Sequence, residues 1–110
     1  MTTAEIAALG ARVGRFAGLG VPARQAERLA DRLVLRDREK EGRALCLECI
    51  HYRAGGRCVN AKRAGLADVS QTALPAYLAA TLQRCDGFAL CADLVHLGYA
   101  SASENGPKPP

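Results

Sequence analysis

Aromatic residues are scarce in this chain, which has no tryptophan, two phenylalanines and three tyrosines in 110 residues. Its hydrophobic fraction of 49% is carried mostly by Ala, Leu and Val, so its core is built from small pieces. A domain of this length holds about 5–15 kcal/mol of net stability, and one added constraint, such as a metal, can then decide whether it folds. The chain also lacks any stretch approaching the roughly 20 apolar residues that a membrane span requires. Arg12, Arg15 and several glycines interrupt its first apolar residues, which argues against a secretory leader there. These absences predict a cytoplasmic protein with no membrane partner.

Catalytic signatures are missing as well. There is no Gly-rich phosphate loop, no HExxH, no Ser elbow and no conspicuous carboxylate pair joined to a histidine. Cys91 and His96 stand five residues apart, on different faces of a helix, and nothing nearby activates the thiol. The expectation is a protein that is not an enzyme and takes no small-molecule substrate. No internal repeat is visible.

The residues that are present organise the chain. Thr2 stands three before Glu5, as in a capping box, and Ile6, Leu9, Val13 and Phe16 follow at helical spacing. Gly18 and Gly20 end that helix. Pro22 opens a second, whose buried stripe is Ala26, Leu29, Ala30, Leu33 and Val34. The short joint makes the two an antiparallel hairpin. The charged run from Arg36 to Arg43 carries the second helix to Gly42 and hinges the hairpin to the cysteine-bearing segment. His51-Tyr52-Arg53 faces Arg57-Cys58-Val59 across Ala54-Gly55-Gly56, a short β-hairpin. Asn60 caps a brief turn that ends near Gly65. Asp68 or Ser70 precedes a third helix, with Leu74, Leu78 and Leu82 every four residues, and this helix delivers Cys85. Phe88, Cys91, Leu94 and Val95 give a short fourth helix.

The fold class expected is mainly α: an N-terminal helical hairpin followed by a small four-cysteine zinc module with a short β-hairpin and two helices. The divisions are a hairpin over 1–43, a metal-binding module over 44–100 packed on it as one compact domain, and a disordered polar tail over 101–110.

Five cysteines in a reducing compartment point to a metal more than to disulfides, and the odd count agrees. Cys46-Leu47-Glu48-Cys49 has the spacing that lets both sulfurs of a tight turn face one ion while backbone N–H groups face the thiolates. Cys58 lies at the far end of the hairpin and comes back beside the pair. Cys85 completes a tetrahedron. The most familiar ribbon has CxxC at both ends, so Cys91, His51 and His96 stand as substitutes for the fourth ligand. The plainer readings are a buried thiol for Cys91, an ordinary histidine for each of the other two, and unconnected buried cysteines for the whole set. Four thiolates leave no open position, so Zn²⁺ here is structural. An iron–sulfur cluster uses the same ligands and is the alternative, ahead of a CxxC redox couple. Arg53, Arg57 and Lys62 are placed to offset the negative charge of the site.

A formal net charge of +4 invites a nucleic-acid reading. A zinc tetrathiolate carries two negative charges, which leaves the loaded protein at about +2. Arg24, Arg28, Arg32 and Arg36 recur every fourth residue and form a ridge that can follow a phosphate backbone, with Arg53 and Arg57 as further contacts. Glu27, Asp31, Asp37 and Glu39 are interleaved with that ridge, as on a solvated, self-paired face.

Leu45-Cys46-Leu47-Glu48-Cys49, His51, Gly56-Arg57-Cys58, Asn60 and Leu82-Gln83-Arg84-Cys85-Asp86-Gly87-Phe88 together resemble a set of small, cysteine-rich zinc-binding proteins encoded on bacterial mobile elements. The resemblance spans about half the chain and includes all four proposed ligands. It implies an accessory role around nucleic acids or nucleoprotein machines, including inhibition of a host defence complex. The functional expectation is thus a noncatalytic zinc-binding accessory module that docks onto a protein or nucleoprotein complex. The alternatives are a zinc-finger protein that binds DNA or RNA directly and an iron–sulfur or redox protein.

Overall fold

The computed structural model describes residues 1–95. Thr2 caps helix α1 (Thr3–Gly18) with the expected reciprocal pair. Its hydroxyl accepts from the Glu5 N–H at 3.1 Å, and a Glu5 carboxylate oxygen accepts from the Thr2 N–H at 2.9 Å. The helix closes in a Schellman motif, with the N–H groups of Gly20 and Val21 bonding the Ala17 and Phe16 carbonyls at 3.0 Å. Pro22 then opens helix α2 (Ala23–Arg38), where its missing N–H costs nothing. Ala26, Leu29, Ala30, Leu33 and Val34 face the interior, so the stripe read on this helix is the buried one.

Two details of the hairpin depart from expectation. Helix α2 stops at Arg38 rather than near Gly42, because Lys40 takes a left-handed φ of 54°. The Lys40 and Glu41 N–H groups close a second Schellman motif on the Asp37 and Arg36 carbonyls at 3.1 Å. Helix α1 buries Ala8, Arg12 and Phe16, while Ile6 stays 57% exposed. Of the expected stripe Phe16 is buried and Val13 packs on the core, and Arg12 joins them because a half-buried acid meets it.

That acid is Asp37, which pairs with Arg12 on one oxygen. Its other oxygen accepts from Arg36 Nε and Nη2 at 3.0 and 2.8 Å. Arg36 also grips both carboxylate oxygens of Glu48, at 2.6 and 2.9 Å. Glu48 is 0% exposed and Arg36 6%. Burial opposes the charge on Arg36, but Glu48 and Asp37 outweigh it and raise its pKa. Burial lowers the pKa of Arg12, with Asp37 working against the shift.

Beyond the hairpin the elements are short. A single 3-10 turn (Cys46–Glu48) leads to strands β1 (Tyr52–Arg53) and β2 (Arg57–Cys58), then helix α3 (Ala61–Ala64), strand β3 (Thr72–Ala73), helix α4 (Ala76–Ala79) and helix α5 (Ala92–Val95). The β-hairpin is where it was expected, with Tyr52 opposite Cys58 and Arg53 opposite Arg57, turned by Gly55 and Gly56 at positive φ. β3 adds antiparallel to β2, which makes an unforeseen third strand in the order β1-β2-β3.

This strand replaces the start of the third helix expected after Asp68 or Ser70. Residues 72–73 pair with 57–58, and the Leu74 N–H bonds the Gly56 carbonyl at 2.7 Å. Only α4 remains helical, because Gln83 pairs with Ala44 just beyond it. The expected fourth helix is trimmed in the same way: Leu90 bridges Cys49, so α5 starts at Ala92 rather than near Phe88.

Phe16, Leu29 and Leu33 from the hairpin share one core with Leu45, Leu47, Tyr52, Leu74 and Ala79. A second cluster joins Ala8 to Cys91 and Leu94. The tail read at 101–110 and the last residues of the proposed module, 96–100, lie outside the described residues.

Lys40→Gly relieves a left-handed lysine and should raise the thermal midpoint, with a gain of up to about 1 kcal/mol in denaturant unfolding. Glu48→Gln leaves Arg36 buried with half its countercharge. Its cost should be about 3 kcal/mol, the low end for a broken buried pair because Asp37 still faces the guanidinium. A lowered midpoint at unchanged m-value in urea would register it.

Candidate metal centre

The Cys46–Cys49 segment is held on both sides by backbone pairing. Ala44 and Gln83 exchange both of their hydrogen bonds, at 2.9 and 3.0 Å. At the other end the Ile50 N–H bonds the Ala89 carbonyl at 2.7 Å, and the Cys91 N–H bonds the Glu48 carbonyl at 3.1 Å. These ties bracket Cys46 and Cys49 on one segment and Cys85 on the other. Cys85 lies between the two bridges, on a turn closed by the Phe88 N–H to the Cys85 carbonyl at 3.1 Å.

Arg15 holds the same segment from the hairpin side. Its Nε donates to the Leu47 carbonyl and its Nη2 to the Cys49 carbonyl, each at 2.7 Å. Glu48 also accepts from the Leu45 N–H at 3.0 Å, which fixes the entry to the turn. Two arginines on two helices thus hold the four-residue loop between the first two sulfurs and its flanks.

Cys58 arrives on β2, with its side chain on the buried face of the sheet together with Tyr52. Asn60 then links this segment to the Cys85 turn, as its side-chain N–H donates to the Gly87 carbonyl at 3.1 Å. Gly87 permits the approach: a Cβ there would stand 2.8 Å from the Asn60 amide nitrogen and 3.2 Å from the Ala64 backbone nitrogen.

The sulfurs have N–H donors aimed at them. The His51 N–H reaches Cys49 Sγ, and the Asn60 N–H reaches Cys58 Sγ, both at 3.4 Å. Each donor lies two residues after its cysteine, so the two turns are equivalent. Gln83 Nε2 approaches Cys46 Sγ at 3.7 Å while donating to the Leu78 carbonyl at 2.9 Å. The cations Arg53, Arg57 and Lys62 are all exposed, and the polar contacts to sulfur come from amides instead.

Cys46, Cys49, Cys58 and Cys85 line one cavity of about 20 Å³, together with Tyr52, Gln83 and Phe88. That is room for about one water-sized species, far below the roughly 300 Å³ of a small-molecule pocket. Burial pushes the Cys46 thiol up to about 11, and Cys85, Cys49 and Cys58 push it the same way. Cys49 is raised by burial as well, against N–H groups of Ala89 and His51 that favour its thiolate. Thiols that oppose one another's ionisation in this way are reconciled by a cation placed among them. Among the described residues, no group of three or more His, Cys, Asp and Glu side chains has an arrangement that holds a metal ion as it stands.

The remaining candidates separate clearly. Cys91 is buried with Ala8 and Leu94 and does not line the cavity. His51 is half-buried and contributes its backbone N–H, and His96 lies outside the described residues. The ridge of arginines is broken: Arg24, Arg28 and Arg32 are exposed, whereas Arg36 is buried against Glu48 and Asp37 and cannot meet a phosphate. Of the self-pairing expected on that ridge, the described residues show Arg36 with Asp37, and that pair is turned inward toward Arg12; Arg38 pairs instead with Glu5 at 2.7 Å. Tyr52 is buried, so of the tyrosines described only Tyr77 offers a ring to solvent.

Residues missed in the sequence are Arg15, Glu48 and Gln83. Arg15 and Arg12 were legible only as members of the same helical face as Ala8 and Phe16. Glu48, between two cysteines, carried no signal of burial beyond its neighbours Leu45 and Leu47.

Comparison with models of known protein families, with curated proteins and with solved structures finds no match to this chain.

Gly87→Ala pushes a methyl group against the α3 backbone and should cost about 1–3 kcal/mol, as overpacking of a tight site does. Ellman's reagent should then reach Cys58 and Cys85 faster than in the parent protein.

Proposed function

We propose that this chain is a noncatalytic accessory module of the cytoplasm, stabilised by Zn²⁺ on Cys46, Cys49, Cys58 and Cys85, that docks onto a protein or nucleoprotein complex. The observation that carries the metal reading is the convergence of four cysteines, from three separated segments, on one ion-sized cavity. The amide donors directed at three of the sulfurs suit thiolates, and the cavity excludes a larger ligand. A tetrahedral zinc tetrathiolate has sulfurs about 3.8 Å apart, from Zn–S bonds of about 2.3 Å. The reading therefore requires the thiols to draw inward on the ion. Four protein ligands leave the metal no open position for a substrate, so its contribution is structural.

The accessory role is the part drawn from resemblance, and it extends to a mobile-element factor or an inhibitor of a host defence complex. It agrees with a cavity too small for a metabolite and with a metal centre whose ligand shell is closed. In such a protein the four-cysteine module is a rigid head and the helical hairpin supports it through Arg15 and Arg36.

Protein purified without added metal should contain about one zinc per chain. Single Cys→Ser changes at 46, 49, 58 and 85 should each abolish that stoichiometry, and Cys91→Ser should keep it. Structural zinc contributes about 10–16 kcal/mol in small peptides, against about 5–15 kcal/mol for the whole chain, so a chelator should abolish the cooperative melt. Iron at similar stoichiometry, with a brown colour under anaerobic purification, would move the site to an iron–sulfur cluster, and metal-free protein with an unchanged melt would end the metal reading.

A further inference from the structure

From Cys49 to Ala67 the chain has no acidic residue, and it places Arg53, Arg57, Lys62 and Arg63 there, all exposed. Extended to Cys85, the same region adds only Asp68 on the acidic side and Arg84 on the basic side. The N-terminal hairpin, by contrast, carries acids interleaved with its arginines. Residues 49–85 thus set five basic side chains against one acid, with no acid inside the 49–67 stretch that holds four of them.

The sheet arranges part of this charge. Arg53 and Arg57 are directly opposite each other across β1 and β2, on the exposed face, while Tyr52 and Cys58 occupy the buried one. Like charges directly opposite destabilise a strand pair. Arg53 donates to the Ile50 carbonyl, and neither arginine has an acidic partner among the described residues.

Two ordinary explanations fail for this pair. Charges on edge strands block unwanted pairing, which would explain Arg53 on β1, but Arg57 sits on the central strand. Compensation of a thiolate centre would place the cations near sulfur, but side chains alternate across a strand, so Arg57 points away from the face that carries Cys58. On its other side Arg57 is opposite Ala73, whose small side chain leaves the guanidinium open to a large partner.

We propose that this face, with Arg53 and Arg57 at its centre and Lys62 and Arg63 on the following turn, binds the phosphodiester backbone of a nucleic-acid duplex. This rests on the accessory reading above and names the component of the nucleoprotein complex that the module touches. Paired guanidinium forks suit adjacent phosphates, and a bound backbone removes the repulsion that the free protein carries. Contacts of this kind position a protein without reading base sequence. The surface lies on the sheet and not on helix α2, where Arg36 is engaged and Glu27 and Asp31 share the exposed face with Arg24, Arg28 and Arg32.

The test is fluorescence anisotropy of the full chain, as purified, against a labelled 20-base-pair DNA duplex of mixed sequence, an RNA duplex of the same sequence and poly-glutamate, over about 50–200 mM salt. With four phosphate contacts the slope of log affinity against log salt should be about −3.6, or roughly a 100-fold loss over that range. Arg53→Gln/Arg57→Gln should make the slope shallower by about 2. Arg24→Gln/Arg28→Gln/Arg32→Gln should leave it unchanged. Equal binding of the two duplexes assigns recognition to the shared backbone, and a preference assigns it to the favoured one. Because the sheet variant removes a like-charge pair, its melting temperature should hold or rise; if it falls, Lys62→Gln/Arg63→Gln carries the same test. A flat salt response, an unchanged slope in the sheet variants, loss in the α2 variant alone, or equal affinity for poly-glutamate would each overturn the proposal. Metal content measured on every sample separates this from the zinc reading: duplex binding by metal-free protein that still falls with the sheet variant keeps the surface and removes the ion.

Discussion

The buried pair of Arg36 and Glu48 is the contact on which the rest of the architecture depends. Glu48 lies between two cysteines of the CxxC segment, and Arg36 lies in the last turns of the second helix, so one ion pair spans the two halves of the chain. Taking both charges out of water costs several kcal/mol per ion unless geometry and additional hydrogen bonds offset it. Here the offsets are present: a two-pronged contact, the Leu45 N–H on the carboxylate, and Asp37 and the Arg43 carbonyl on the guanidinium. The hairpin cannot leave the cysteine segment without stranding a charge, so the two halves are bound to act as one cooperative unit.

Around that pair the cysteine region is organised by the backbone more than by regular elements. Strands of two residues and helices of four have little stability of their own, since helix formation carries a costly nucleus and a lone hairpin is marginal in water. They persist here because isolated bridges at either end of the CxxC segment, the Asn60–Gly87 contact and a shared core with the hairpin hold each piece against its neighbours. Among the described residues the core has Phe16 as its one fully buried aromatic residue, which fits a composition of Ala, Leu and Val. Packing of this kind supplies limited energy, and polar contacts define the geometry.

Legibility in the sequence tracks how local each determinant is. The capping box at Thr2 and Glu5, the Pro22 start, the stripe on the second helix and the Gly55-Gly56 hairpin are set by residues within a few positions of one another, and all are seen. On the first helix Phe16 and Val13 are read correctly, but the burial of Arg12 is missed because it is polar by type and its burial is decided by Asp37, 25 residues away. Leu74, Leu78 and Leu82 do have a helical period, but Thr72 and Ala73 are taken by β2 and Gln83 by Ala44, so long-range pairing overrides propensity. For the candidate centre, the cysteines that share a cavity are legible from spacing, with Cys91 set apart by its apolar neighbours. Arg15, Glu48 and Gln83 are not, because their roles exist only once distant segments meet.

The separation of the cysteines along the chain also has a consequence for biosynthesis. Glu48 and Cys85 are 37 residues apart in a single polypeptide made from the N-terminus. At about 5–20 residues per second, the chain therefore spends about 2–7 s with the hairpin, the Arg36–Glu48 pair and the CxxC turn already available but the Cys85 loop not yet synthesised. During that interval Cys46 and Cys49, joined part-way through by Cys58, stand without the Cys85 segment that shares their cavity. A nascent chain so arranged can commit its N-terminal half early, and it holds an open, thiol-lined edge until the final segment closes over it.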